Sequence, residues 1–245
     1  MIDCHCHILP GIDDGPADMA QALALCAALV ADGVTAAIAT PHLHAGRWDN
    51  TPEVIARVCE QLRLQLEVNN IPLQIRAAAE VRISDELLNW VEHNAVPFLS
   101  AKLSAENPSR VMLLEFPHGQ MIPGSINLVH WLVRQNICPV IAHPERNKQL
   151  QKELTLLTPF IDAGCLVQLT AASVIGEFGA AAHIAAGKIL ELGWPGIIAS
   201  DAHNLTGRAP RMSAAKAYVA ERWGEQTVSR WFSDWQNFWW HSGSC

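Results

Sequence analysis

The chain has 245 residues and a formal net charge of −7. Its longest apolar stretch, residues 22–31, is half the roughly 20 residues that a membrane-spanning helix needs, so we expect no membrane insertion. No basic segment precedes an apolar one at the N-terminus, and the seven cysteines lack zinc-finger spacing, so we expect a cytoplasmic protein with reduced thiols. Net acidity without a run of lysine or arginine argues against nucleic-acid binding.

Strand-length apolar runs alternate with segments of helical periodicity. The predicted strands are residues 2–7, 34–40, 73–79, 111–115, 139–143, 166–169 and 196–200. The first helix is expected to open at Pro16, the second runs from Val54 to Asn69, the third stops before Pro139 and the fourth ends at Gly164. This alternation predicts parallel strands joined by helical crossovers. The fold class is α/β, with a seven-stranded β/α barrel favoured and an open doubly wound sheet as the alternative.

Six of the seven predicted strands end in side chains that bind metals. In chain order these are His5, His7, Asp13 and Asp14, then His42, Glu80, Glu115 and His143, and finally Asp201 with His203. The sixth strand, which ends near Gln168 and Thr170, lacks a strong ligand. In a β/α barrel all these strand ends meet on one face. Each residue alone suits a loop or a helix cap, but together they favour a centre for Mn²⁺, Fe²⁺ or Zn²⁺.

The first strand places His5 and His7 on the same side, since alternate residues of a strand share a face. Cys4 and Cys6 should then point to the opposite face and pack in the barrel. His44 and His118 follow ligand-bearing strand ends and are expected to be solvated loop residues, with a place at the border of the substrate as the alternative.

Several motifs resemble one protein family. They are the runs at 3–7, 7–15 (HILPGIDDG), 39–42, 143–147 (HPERN), 168–173, 176–179 and 200–204. They resemble the PHP (polymerase and histidinol phosphatase) superfamily, and are similar to its branch of bacterial manganese-dependent protein-tyrosine phosphatases that accompany capsule and exopolysaccharide synthesis. The resemblance covers about residues 1–210 and implies a distorted seven-stranded β/α barrel, with residues 1–245 forming one phosphatase domain.

The resemblance also implies three Mn²⁺ ions, with Fe or Zn as alternatives. One ion would be held by His5, His7, Glu80 and Asp201, a second by Glu80, Glu115 and His143 with Glu80 bridging, and a third by Asp14, His42 and His203. Arg146 and Arg208 would hold the substrate phosphate, with Arg211 as the alternative to Arg208.

The expected reaction is hydrolysis of a phosphate ester by a metal-activated water. Clustered ions acidify a bound water, and the hydroxide would attack phosphorus in line with the leaving phenolate. Asp13 or a loop histidine is the candidate proton donor to the leaving oxygen. A cysteine-phosphatase route is excluded because none of the first six cysteines is followed by arginine six positions later, and Cys245 ends the chain.

The expected substrate is a phosphotyrosine protein, in particular a bacterial tyrosine kinase of exopolysaccharide or capsule regulation. Two alternatives stay open: a PHP phosphatase for a small molecule such as histidinol phosphate, and an inactive metal-binding scaffold that binds a kinase. The sequence does not decide whether the protein forms oligomers.

The C-terminal segment carries an aromatic stripe at helical spacing. Trp231, Trp235, Phe238 and Trp239 lie on a predicted helix of about residues 225–241. We expect the stripe to pack on the barrel wall, and a contact with another subunit or a membrane-bound kinase is the alternative.

Overall fold

The computed structural model describes residues 1–242, in which parallel strands alternate with helices. The strands are β1 Ile2–Cys6, β2 Ala36–Ala39, β3 His42–Leu43, β4 Gln74–Ala77, β5 Glu80–Arg82, β6 Arg110–Glu115, β7 Ile137–Ala142, β8 Leu166–Thr170 and β9 Gly196–Ala199. The α-helices are α1 Met19–Ala31, α2 Pro52–Val68, α3 Glu86–Glu92, α4 Ser125–Arg134, α5 Thr158–Asp162, α6 Ala171–Val174, α7 Ala180–Glu191, α8 Met212–Trp223, α9 Glu225–Ser229 and α10 Trp235–Ser242. Single 3₁₀ turns lie at Pro144–Arg146 and Leu154–Leu157.

After a bend, the predicted strands of residues 34–40 and 73–79 each continue into a second short strand that was not predicted. β2 and β3 are separated by Thr40 and Pro41, and β4 and β5 by Ala78 and Ala79. Backbone hydrogen bonds continue across both bends, since Ala78 N donates to Ala39 O at 2.8 Å and Glu80 N donates to Pro41 O at 3.1 Å. The strand order is β1-β2-β4 in one sheet and β3-β5-β6-β7-β8-β9 in the other, with every pairing parallel.

The ends of β1 and β9 meet and close the strands into a distorted barrel. Asp201 N donates to His5 O at 2.7 Å, and His7 N donates to Ala202 O at 2.9 Å. Cys6 and Ala202 form a parallel bridge at the same place. This closure confirms the barrel and makes the open doubly wound sheet wrong.

The core has two layers. Alternate strand residues, among them Ile38, Leu113, Val140 and Ile197, pack inside the barrel, and a larger cluster lies between the strands and the helices. Cys4 belongs to the inner cluster and Cys6 to the outer one, so the expectation that they share a face is wrong. The reason is a register shift between Asp3 and Cys6, which breaks the alternation of the strand.

The six cysteines within residues 1–242 are free and buried, and Cys245 lies outside the described residues. Among the helices of residues 1–242, none has the length and apolar character that crossing a membrane would require.

The aromatic stripe packs against the barrel, as expected. Trp231 and Trp239 are fully buried, and Trp239 joins the inner cluster, where Trp235 and Phe238 also pack. Trp239 Nε1 donates to Leu103 O at 3.2 Å. The predicted helix of 225–241 corresponds to α9 and α10, joined by a π-helical turn at Arg230–Asp234.

The first helix starts later than predicted. It begins at Met19, because the Asp18 carboxylate accepts a hydrogen bond from Gln21 N at 2.9 Å and caps the helix. Pro16 instead lies in the preceding loop, where its carbonyl accepts from Gly11 N at 2.9 Å.

Candidate metal centre

The predicted ligands converge at the carboxyl ends of the strands. Those that are buried are His5, His7, His42, Glu80, His143, Asp201 and His203, while Glu115 is half-buried and Asp14 is exposed. Two of them, His143 and Asp201, have left-handed backbones with φ of +32° and +50°. Such conformations are strained for residues other than glycine and cluster at functional sites, where the fold holds a side chain in place.

Four ligand atoms face one another in a first group. His5 Nε2 and His7 Nε2 are 3.2 Å apart. Glu80 Oε2 lies 3.5 Å from His5 Nε2 and 3.3 Å from His7 Nε2, and Asp201 Oδ1 lies 3.2 Å and 3.5 Å from the same two nitrogens. Ligands about 2.1 Å from a tetrahedral divalent ion would be about 3.4 Å apart. The spacing of these atoms therefore fits one ion.

A second group contains the residues predicted for the third ion. Asp14 Oδ1 lies 3.3 Å from both His42 Nε2 and His203 Nε2. A ring nitrogen of His7 lies close enough to the ligand atoms of these three residues to share one ion with them. The group is the most open of the centre, because the Asp14 side chain is 40% exposed.

The remaining carboxylates divide differently from what the resemblance implies. Glu115 groups with His42 and Glu80, with 3.9 Å between Glu115 Oε2 and His42 Nδ1. His143 Nε2 lies 2.9 Å from Glu80 Oε1 and groups with His5 and Asp201 instead. Glu80 Oε1 thus faces His143, while Oε2 faces the other histidines, which suits a bridging carboxylate.

The unpaired buried atoms of these residues test the fit to metal. Four buried side-chain atoms at the centre make no hydrogen bond and face other ligand atoms: His42 Nδ1, Glu80 Oε2, Asp201 Oδ1 and His203 Nε2. Glu115 Oε2 is instead paired with Arg82 Nη1 at 2.9 Å. Buried polar atoms are rarely left without partners, because burial removes their hydration. Buried nitrogen and oxygen atoms that lack hydrogen-bond partners and converge on shared positions therefore fit divalent cations.

Three histidines are oriented by acceptors behind them. His5 Nδ1 contacts Gln168 Oε1 at 2.8 Å, His7 Nδ1 contacts Asp13 Oδ2 at 2.7 Å, and His203 Nδ1 contacts Asp201 O at 2.9 Å. Each contact places the ring proton on Nδ1 and leaves the Nε2 lone pair free for a cation. Such partners behind the ligands fix both tautomer and ring orientation.

Asp13 and Gln168 take roles that the sequence did not predict. Both Asp13 oxygens are engaged, since Oδ2 also accepts from His42 N at 3.2 Å and Oδ1 accepts from Gly15 N at 2.9 Å. The charge of His7 helps to lower the pKa of Asp13 although burial opposes this. These contacts favour orientation of His7 over proton donation. Gln168 lies at the end of the one predicted strand that lacks a strong ligand. Its strand-end position is the only feature of the sequence that could have indicated its role.

The charges of the centre compensate one another. Burial alone would lower the pKa of His5, but the Asp201 and Glu80 carboxylates raise it to about 9. Burial would raise the pKa of Glu80, but His5 and His42 hold it well below its usual range. Burial and the neighbouring His7 lower the pKa of His203 to about 4, so its ring is neutral at pH 7.

A buried aspartate fastens the seam where the barrel closes. Asp3 accepts hydrogen bonds from the Ser200 hydroxyl, from Ser200 N at 3.0 Å and from His5 N at 3.3 Å. Burial raises its pKa to about 6 despite these donors. Asp3 contributes no atom to the ligand groups, so its place is to hold β1 against the end of β9, beside His5 and Asp201.

Both predicted phosphate-binding arginines reach the centre. Arg146 Nη1 and Arg208 Nη2 donate to Asp201 Oδ2, the latter at 2.6 Å. Both also line a cavity of 280 Å³ together with His118, Gln151, Phe178 and Ala182. Arg211 is instead paired with Glu177 at 2.8 Å and 2.9 Å, which favours Arg208 over Arg211 at the site.

Two loop residues lie near the centre. His118 lines the arginine cavity, which agrees with the alternative that it borders the substrate and not with the favoured solvated loop residue. Trp48 stacks on His42, with ring centroids 4.5 Å apart and planes 10° apart, and the Arg47 guanidinium lies 4.0 Å from the Trp48 ring centre. No periodicity marks either position, because both contacts depend on loop conformation.

Comparisons with known proteins agree with this geometry. The family model for capsular polysaccharide synthesis proteins CpsB/CapC matches residues 1–237. The chain is 34% identical over 222 residues to the tyrosine-protein phosphatase YwqE of Bacillus subtilis, covering 91% of this chain and 84% of that protein. It is 30% identical over 243 residues to the tyrosine-protein phosphatase CpsB of Streptococcus pneumoniae, covering 96% of each.

Solved structures give the same result. A crystal structure from work on YwqE and CpsB, described as unique metal-dependent tyrosine phosphatases, matches with a TM-score of 0.84 and 31% identity, covering 93% of this chain and 90% of that one. An organophosphorus hydrolase from Deinococcus radiodurans matches with a TM-score of 0.59 at 14% identity, covering 97% and 92%, and shows the fold alone. The chain therefore belongs to the CpsB/CapC family of capsular polysaccharide synthesis proteins.

Proposed function

We propose that this chain is a metal-dependent protein-tyrosine phosphatase, with residues 1–245 forming one catalytic domain. The observation that carries the proposal is the set of buried histidine and carboxylate ligand atoms that face one another at one end of the barrel, directly beside two arginines that face a cavity. The phosphatase names of the CpsB and YwqE relatives support the reaction, and the family description supports a role in capsule synthesis.

Manganese is the cation we propose, in up to three positions. The ligands would be His5, His7, Asp14, His42, Glu80, Glu115, His143, Asp201 and His203. Mixed imidazole and carboxylate donors suit borderline divalent ions, which include Fe²⁺ and Zn²⁺ as well as Mn²⁺. Ions bound here supply Lewis acidity to phosphoryl oxygens and lower the pKa of water.

Side chains of the protein bind the phosphate and orient the metal ligands. Arg146 and Arg208 each offer guanidinium donors that match a phosphate edge, and their present acceptor, Asp201, holds them at the border of the metal groups. Asp13 and Gln168 hold two histidine rings in the tautomer that presents Nε2 to the centre. When the P–O bond of phosphotyrosine breaks, the tyrosine side chain leaves as a phenolate, a good leaving group, so a dedicated proton donor is dispensable.

The substrate we propose is a phosphorylated tyrosine kinase of the capsule or exopolysaccharide pathway, met in the cytoplasm. The support is the capsule synthesis family together with the tyrosine-phosphatase names of its relatives. A kinase would present its phosphotyrosine on an exposed segment, and the cavity at the arginines opens to the surface where such a segment can reach it.

The test is hydrolysis of a phosphotyrosine peptide by metal-stripped protein titrated with Mn²⁺. We expect turnover that rises with Mn²⁺ and is lost in His143→Ala, because His143 lies against Glu80 at the centre. The matched control is His93→Ala, since His93 is an exposed helix-end residue that contacts only Asn89 O at 2.9 Å among the described atoms. Preference for histidinol phosphate would contradict the proposal, and so would the absence of any turnover.

A further inference from the structure

The cavity beside the arginines is larger than a phosphate group requires. Its volume is 280 Å³, and it is open to solvent. Arg146 and Arg208 line it and also reach Asp201, so a phosphate held between them would lie next to the metal groups. The space that remains is bordered by Phe178, Ala182, His118 and Gln151. One end of the cavity is thus cationic, and another wall is aromatic and aliphatic.

Phe178 is held at this cavity by a loop of defined shape. The loop between α6 and α7 has glycines with φ of +87° at Gly176 and +90° at Gly179, conformations that glycine adopts without strain. Glu177 N donates to Ala172 O at 2.9 Å and Gly179 N to Gly176 O at 3.1 Å. The Glu177 carboxylate is also paired with Arg211. These contacts fix the backbone on both sides of Phe178, which is only half-buried although it is apolar.

The Phe178 ring also contacts one of the arginines. The Arg146 guanidinium carbon lies 5.1 Å from the ring centre, within the range of a cation–π interaction. Phe178 could therefore act in two ways, either by holding Arg146 in place or by contacting the organic group of the substrate. The two roles differ in their consequences, because the first affects every phosphate ligand equally and the second affects only ligands with a ring.

We propose that Phe178 forms the wall of an aryl subsite and makes the enzyme select aryl phosphates over alkyl phosphates. This inference rests on the proposed function and deepens it, since it names the residue that distinguishes phosphotyrosine from phosphoserine. The phosphate end of the ligand meets Arg146 and Arg208, and the phenyl ring lies against Phe178 and Ala182. Aromatic rings in contact bind more strongly than their buried area alone accounts for. Phosphoserine has no ring that could contact this wall.

The test measures binding of phenylphosphonate and methylphosphonate to the Mn²⁺-loaded protein by calorimetry, so it does not depend on turnover. We expect the wild type to bind phenylphosphonate about tenfold more tightly, and Phe178→Ala to lose most of this preference while its affinity for methylphosphonate changes less than about twofold. Phe178→Tyr should restore the preference because it keeps the ring.

A matched control tests whether loss of any phenylalanine under an arginine has the same effect. Phe98 lies 4.4 Å from the Arg110 guanidinium and does not line the arginine cavity, so Phe98→Ala should leave both affinities unchanged. Equal weakening of both phosphonates in Phe178→Ala would overturn the proposal and assign Phe178 to Arg146 alone. A wild type without preference for the phenyl ligand would overturn it as well. Failure to hydrolyse a phosphotyrosine peptide, with the binding preference intact, would instead refute the proposed function.

Discussion

Replacement of Gln168 by methionine tests whether the acceptors behind the histidines set metal affinity. Gln168 is fully buried, and its Oε1 accepts from His143 N at 3.1 Å and contacts His5 Nδ1 at 2.8 Å. Because the backbone N–H of His143 can only donate, the atom facing both groups is the amide oxygen, and His5 must carry its proton on Nδ1. Methionine has a similar length and flexibility but no comparable acceptor.

Two separate effects follow from this loss. Removal of a partner behind a metal ligand costs about 10- to 100-fold in metal affinity, equal to roughly 1.4–2.7 kcal/mol. The His143 N–H is left buried without its acceptor, which lowers the free energy of unfolding by about 1–3 kcal/mol even in metal-free protein. The first effect appears only with metal and the second appears without it.

The assays are Mn²⁺ titration by calorimetry and urea unfolding of the metal-free protein. Gln168→Glu is the matched variant, since its carboxylate keeps an acceptor for both His5 and His143 and should bind Mn²⁺ more tightly than Gln168→Met. Wild-type Mn²⁺ affinity in a folded Gln168→Met protein would refute the view that this contact orients His5.

Three further predictions concern metal, pH and packing. Chelation should lower the melting temperature by about 5 °C for each ion that was present at 100 times its Kd. Binding at that concentration adds about 2.7 kcal/mol to the free energy of unfolding, and the entropy of unfolding of 245 residues is about 0.5 kcal/mol/K. Calorimetric scans with and without Mn²⁺ check this. Since the pKa of His5 is raised to about 9, its proton stabilises the metal-free fold fully below pH 6.5 and ceases to do so as the pH rises through 9. Mn²⁺ must displace that proton, so its apparent affinity should increase between pH 6.5 and 9, and titrations in two buffers of different ionisation enthalpy should reveal proton release. Trp239→Ala should cost about 3–5 kcal/mol of unfolding free energy in urea, because Trp239 is fully buried in the inner cluster, while the Mn²⁺ affinity of the folded fraction stays unchanged.

The barrel could be predicted from the sequence because its strands are short apolar runs separated by helical periods. All seven predicted strands are present, but the short strands β3 and β5, which follow the bends at Thr40-Pro41 and Ala78-Ala79, were missed. They are only two and three residues long and begin at His42 and Glu80, so no apolar run marks them, and their assignment depends on hydrogen-bond geometry, which composition does not encode. The start of α1 was missed for a related reason, since Pro16 and Asp18 are both helix-start signals and only the Asp18 contact with Gln21 decides between them.

The ligand residues could be predicted because parallel strands bring their carboxyl ends together whatever the loops do. Their division into groups could not. Whether Glu115 lies nearer to His42 or to His143 depends on side-chain rotamers and on shifts of about an ångström, and the sequence holds no periodic signal for either. The same applies to Gln168 and Trp48, whose contacts depend on the loops and strands that surround them.

The position of the barrel seam explains why the candidate metal ligands meet here. His5 and His7 lie on β1, Asp201 follows β9, and the bonds between Asp201 N and His5 O and between His7 N and Ala202 O join the two. The first ligand group therefore exists only when the first and last strands have met, and Asp3 secures that meeting through Ser200. Closure brings the Glu80 and Asp201 carboxylates together, a repulsion that Arg146, Arg208 and the histidines offset. A cation held by both sides of the seam would remove the rest of that repulsion, so we expect metal binding and barrel closure to stabilise each other.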